Sequence, residues 1–256
     1  MSLITEALIG AIAFNLLLFL PAYFLQTDKL TDISYAITFI AIAIFGFLQS
    51  RQELVDYLAL LMVGVWALRL GAFLLIRIFK QGKDSRFDEM RKNWPSFLRF
   101  WFFQGLTVFI IILPGLLIWQ EHHTPSPLAF IGIIIWALGL ATEALADFQK
   151  YRFKQKGYKN WIDQGIWRAS RHPNYLGEIT VWVGFWIFAS STLSLPNILI
   201  ALASPIYIIV ILLFFSGVPL LEKSADSRWG EDKKYQLYKK QVPILLPNYS
   251  SLKRLH

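Results

Sequence analysis

Seven apolar runs, separated by short polar stretches, cover about residues 3–25, 33–48, 54–79, 97–119, 128–146, 174–189 and 198–221. A helix needs roughly 20 residues to cross a bilayer core, and these runs reach or approach that length. They are continuous rather than alternating, so they predict helices and not barrel strands, the only other element that satisfies its backbone in lipid. Asn15 and Pro21 interrupt the first run. The opening Met1-Ser-Leu-Ile-Thr-Glu6 lacks the basic region of a signal peptide, which predicts a retained first helix. The pattern has no long linker, low-complexity tract or repeat. The expectation is an all-α membrane protein, a seven-transmembrane helix bundle, with residues 1–256 as a single integral membrane domain.

The basic residues sharpen this picture. Of 25 Lys and Arg, six fall between the third and fourth runs or, for Arg99, at the start of the fourth, seven between the fifth and sixth, and eight in the tail. The stretches Glu121-His-His-Thr-Pro-Ser-Pro127 and Ala189-Ser-Ser-Thr192 have none. By the positive-inside rule, seven spans then place the N-terminus outside and the C-terminus in the cytoplasm. Arg51 falls on the outer side in this arrangement. The same distribution explains the net charge of +8 without a nucleic-acid partner.

Composition agrees. The chain is 55% hydrophobic and 16% charged, against roughly a quarter charged for a soluble domain, and its mean hydropathy is +0.47. It has no cysteine, which excludes disulfides and thiolate metal sites. His122 and His123 are a lone pair in a loop with no cysteine in the chain, a poor metal site, so no metal is expected.

Polar residues inside the apolar runs are the candidates for chemistry. Asn174, Glu178 and Trp182 recur every four residues on one helical face, behind Pro173 in a first turn. Glu143, Asp147, Lys150 and Lys154 share another face, as do Trp66, Arg69, Phe73 and Arg77. Asp32 and Tyr35 lie three apart. Ionisable groups at such depth are functional or pair with one another. Simpler readings stand beside each: Asp32 as a helix N-cap, Lys150, Lys154 and Arg77 snorkelling to headgroups, the tryptophans as packing, and Arg69–Glu178 or Asp147–Lys150 as structural pairs. Lys83, Arg86 and Arg91 add phosphate-binding groups in a basic loop. No soluble-type nucleotide loop, HExxH or GxSxG occurs.

Arg171-His-Pro-Asn-Tyr-Leu-Gly-Glu178 followed by Trp182 resembles the signature of the steroid 5-alpha-reductase-like membrane enzymes, in particular their bacterial, DUF1295-type branch. Asp84-Ser-Arg-Phe-Asp-Glu-Met-Arg91, Trp66-Ala-Leu-Arg69, Asp147-Phe-Gln-Lys150, Gly217-Val-Pro-Leu-Leu-Glu-Lys223, and Tyr235, Tyr238 and Pro247 extend it. The resemblance implies a bundle that binds NADPH from the cytoplasm and reduces a carbon–carbon double bond conjugated to a ketone, as in 3-oxo-Δ4 steroids. Asn174 and Glu178 would meet the nicotinamide, and Glu143 and Asp147 the ribose or adenosine. Lys150, Arg152 and Lys154 would lie near phosphates, with Arg86 and Arg91 on another side. Arg69, Arg171, His172, Tyr235 and Tyr238 belong to the same implied cofactor set. Asp32 falls where the steroid enzymes carry a glutamate that grips the ketone, and Trp66 where they carry a tyrosine. Glu143 stands where several have an amide, and Phe87 where the bacterial branch commonly has a tyrosine.

Hydride addition to an enone builds charge on the ketone oxygen, which requires a donor aimed there. Asp32, Tyr35 and Glu178 are the catalytic candidates, with Trp66 and Trp182 walling a flat lipid-like substrate. Two rivals remain. The Arg-His-Pro core and the Glu222…Tyr235…Tyr238 tail also suit an S-adenosylmethionine-dependent isoprenylcysteine or phospholipid methyltransferase. A non-enzymatic lipid carrier would need a polar path across the upper, apolar halves of the helices. The expected location is the bacterial inner membrane, in contact with membrane lipid.

Overall fold

A computed structural model describes residues 1–27, 29–81, 88–121 and 124–253, with the side chains of Lys29, Asp32, residues 77–81, Asp88, Glu89 and Tyr249 left out. Every regular element among the described residues is helical. The helices are α1 (Leu3–Phe24), α2 (Lys29–Leu48), α3 (Leu54–Gln81), α4 (Asp88–Lys92), α5 (Trp94–Gln120), α6 (Leu128–Gln155), α7 (Pro173–Ser190), α8 (Leu195–Ala201), α9 (Ala203–Val210), α10 (Val218–Trp229), α11 (Lys233–Gln241) and α12 (Tyr249–Leu252). All seven predicted runs fall on helix. Five stretches among the described residues are long and apolar enough to cross a membrane: α1, the Leu54–Ile76 part of α3, α5, α6 and Leu195–Trp229. They are the helices of an integral membrane protein.

The seventh run was expected as one helix and is broken. A π-helical turn at Ile211–Phe215 follows α9, and Gly217 leaves helical geometry with φ −95° and ψ −100° before α10 restarts. Pro219 in the first turn of α10 has no N–H to extend the preceding ladder.

The chain forms two compact units, Met1–Ala129 with Phe185–Ser204, and Phe130–Gly184 with Pro205–His256. In the first, α1, α2, α3 and α5 pack together, and α5 is the most enclosed span. Ser2 caps α1 by accepting from the Thr5 N–H, and Asn93 caps α5 by accepting from the Ser96 N–H. In the second, α6 and α7 approach closely. A Cβ on Gly177 would overlap the Glu143 backbone, and one on Gly139 the Val181 backbone. Only glycine admits such contact.

Candidate active site

The start of α7 is built by what precedes it. Pro173 opens the helix, where its missing N–H costs nothing. The N–H groups of Arg171 and His172 donate to Pro243 O (2.9 Å) and Ile244 O (3.1 Å), so the tail after α11 lies along this stretch. The side chains converge on Glu222 of α10. Arg171 Nη1 pairs with Glu222 Oε2, His172 Nε2 lies 2.8 Å from Oε1, and Lys239 Nζ lies 3.3 Å from Oε2. Lys239 also meets Asp226 at 2.6 Å, one turn further along α10. The Tyr235 hydroxyl donates to Asp226 (3.2 Å) and that of Tyr238 to Trp167 O (3.0 Å). A carboxylate only accepts, so Nε2 of His172 carries the proton toward Glu222. Burial holds His172 below its ordinary value near 6.5, although the hydrogen bond to Glu222 pulls the other way. Burial, with Glu222 and Asp226 nearby, raises the Tyr235 phenol, which stays a neutral donor.

Along α6, Glu143 and Asp147 are buried. Lys150 Nζ sits 5.0 Å over the Trp167 ring, whose Nε1 donates to Ala146 O at 3.2 Å. Gly177 rests on Glu143, so Glu143 faces the α7 backbone one residue before Glu178. Trp182 follows one turn on and is buried. Two polar atoms flank Pro173: Arg171 Nε and Asn174 Oδ1 are buried and make no hydrogen bond among the described residues. Arg152 and Lys154 are exposed near the end of α6. The second unit thus holds Glu143, Asp147, Lys150, Arg152, Lys154, Arg171, His172, Asn174, Glu178, Trp182, Tyr235 and Tyr238.

The remaining candidates lie in the first unit. Tyr35 packs edge-on against Phe39 (5.1 Å), which packs edge-on against the fully buried Trp66 (4.9 Å). Arg69 lies over Phe73 at 5.8 Å. Arg91 is buried, and its carbonyl accepts from Gln26 Nε2 at 3.3 Å. Asp32 lies on α2 within its first turn, its side chain outside those described. Arg86 and Phe87 lie outside the described residues, as do His122 and His123.

Sequence reasoning missed two sets of contacts. Glu222, named there only as part of a motif, joins Asp226 and Trp167 in organising the second unit's cluster. In the first unit, Gln104 of α5 donates to Asn15 Oδ1 (2.8 Å), Ser34 Oγ (2.7 Å) and Thr31 O (3.2 Å), and Asn15 donates to Thr38 Oγ1 (3.1 Å). The signal was a lone amide in the fourth apolar run and an acid closing the seventh. Among the described residues no cluster of three His, Asp or Glu could hold a metal.

A family model described as "Protein of unknown function (DUF1295)" matches residues 18–242. No curated protein and no solved structure matches the chain.

Proposed function

The chain belongs to the DUF1295 family, and we propose that it is an NADPH-dependent membrane reductase of the steroid 5-alpha-reductase-like kind, acting on the double bond of an enone lipid. The observation that carries the proposal is the pair of unpartnered buried atoms at the start of α7, Arg171 Nε and Asn174 Oδ1. One donates and the other accepts. A nicotinamide carboxamide offers an acceptor and a donor in return, and leaving either protein atom unmet costs about 1–3 kcal/mol. Glu143 and Asp147 suit ribose hydroxyls, which donate to carboxylates. Lys150 and Lys154 share their face of α6 and suit phosphates. The residues present therefore fit the cofactor.

Bound there, NADPH supplies a hydride. The chain must supply a donor for the ketone oxygen, and Asp32 and Tyr35 on α2 of the first unit are groups of that type, while Trp66 in that unit and Trp182 in the second each offer a flat apolar side chain. Glu178 stands one turn beyond Asn174, at the cofactor's reactive end. With the basic stretches inside, the proposed arrangement has seven spans, an outer N-terminus and a site open to the cytoplasm of a bacterial inner membrane.

One observation favours a second reading. Glu222 binds both Arg171 and His172, joining the two motifs that also suit an S-adenosylmethionine-dependent methyltransferase. The test of the reductase is NADPH oxidation by the detergent-solubilised protein with 3-oxo-Δ4 steroids and related enones. Asp32→Asn and Glu178→Gln are each expected to abolish turnover while circular dichroism stays unchanged. Full activity in both variants contradicts the site.

A further inference from the structure

α6 presents two different faces at its basic end. Glu143, Asp147, Lys150 and Lys154 lie on one side. Leu138, Leu145, Phe148 and Arg152 follow one another at helical spacing on the opposite side, and Lys156 continues the stripe just past the helix end, its N–H donating to Arg152 O at 3.3 Å. The second stripe is exposed throughout, and it turns from apolar to cationic within two turns. The two cations open onto a cavity of about 290 Å³.

The cavity floor is fixed. Gly165 adopts φ +54°, and a Cβ there would overlap the Gln149 side chain. Gln149 Oε1 accepts from the Ile166 N–H at 3.1 Å, which anchors the 3₁₀ turn Gly165–Arg168 to α6. Gln164 adds an amide to the lining, and among the described residues no carboxylate lines the cavity. Arg152 lies over the Phe148 ring at 5.7 Å, which keeps its guanidinium beside the apolar stripe. A second cavity in this unit, of about 320 Å³, sets Asp163 against Lys234 and has no such charge bias.

We propose that Arg152 and Lys156, with Gln164, bind the phosphate headgroup of an anionic phospholipid whose acyl chain lies along Leu138, Leu145 and Phe148. Two cations beside amide donors match a phosphodiester, and the exposed stripe matches a chain that never leaves the bilayer. The volume is at the small end of ligand pockets, a headgroup's size rather than a dinucleotide's. The site removes Arg152 from the cofactor's phosphates, and it stands whether or not the protein is a reductase.

Native mass spectrometry of the detergent-purified protein tests it, with phosphatidylglycerol and phosphatidylcholine offered together. Phosphatidylglycerol is expected to be retained preferentially. The double variant Arg152→Gln/Lys156→Gln should lose about thirtyfold in affinity, near a factor of five for each cation. Gln164→Glu, which places a carboxylate in the cavity, should also expel the lipid. Lys234→Gln, in the other cavity, should retain it. Equal loss in Lys234→Gln, no loss in the cavity variants, or displacement of the lipid by NADPH would overturn the proposal. The last result would give the phosphate site to the cofactor.

Discussion

Each unit holds a polar cluster, buried in the first and partly buried in the second, and the two are built from different chemistry. In the first, amides and hydroxyls of Asn15, Ser34, Thr38 and Gln104 tie α1, α2 and α5 together without a formal charge. In the second, Arg171, His172, Lys239, Glu222 and Asp226 tie the start of α7 to α10 and α11 through ions. Neutral groups suit helix interiors in lipid, where the desolvation of a charge is severe. Charges suit helix ends, where water and headgroups share the cost. The first cluster holds helices in register. The second holds in place residues proposed to meet a cofactor.

Breaking the charged cluster should have the larger effect. Glu222→Ala leaves Arg171, His172 and Lys239 without their shared carboxylate, and should cost about 3 kcal/mol of stability in detergent unfolding, the lower end of the range for a broken buried pair. Gln104→Leu removes the hub of the neutral cluster, leaving the Asn15 and Ser34 oxygens with one partner fewer, and should cost about 1–2 kcal/mol. An equal or reversed order would contradict the contrast.

The smallest expected effect is the dependence on pH. His172 has a folded pKa below its ordinary 6.5, so the unfolded chain takes up its proton more readily. Its contribution is therefore complete above pH 6.5 and is lost as pH falls toward the folded value. Thermal unfolding across that window should show the loss, and His172→Gln should flatten it. Gln104→Leu should leave the slope unchanged, because the neutral cluster does not titrate.

Much of the helical layout was legible because a membrane span writes its length in apolar residues. Six of the seven runs each fall on one helix, and the seventh falls on a broken series of helices. The breaks inside 198–221 were not anticipated, since Gly217 and Pro219 sit in a run whose apolarity stays unbroken. The faces of α6 and α7 followed from spacing alone. Glu222 stood out only as part of a motif, and its role as the centre of an ion cluster did not. Its partners at Arg171, His172 and Lys239 are distant in sequence, and pairing of that kind leaves no periodic trace. Gln104 was hidden likewise, its role set by Asn15 and Ser34 on other helices. Glu121 reads as a loop acid, yet it accepts from the Ser194 N–H (2.9 Å) and hydroxyl (2.8 Å) at the head of α8.

The unmet Arg171 Nε and Asn174 Oδ1 are a part of the second unit that its own ion pairs do not explain. The most direct measurement is the melting temperature of the detergent-solubilised protein with NADPH and with S-adenosylmethionine, in wild type and in Asn174→Ala. A ligand that binds only the folded state at a hundredfold its Kd stabilises by about 2.7 kcal/mol. NADPH is predicted to raise the wild-type melting temperature, to do so less in Asn174→Ala, and S-adenosylmethionine to leave both unchanged. A rise with S-adenosylmethionine and none with NADPH would contradict the reductase and favour the methyltransferase.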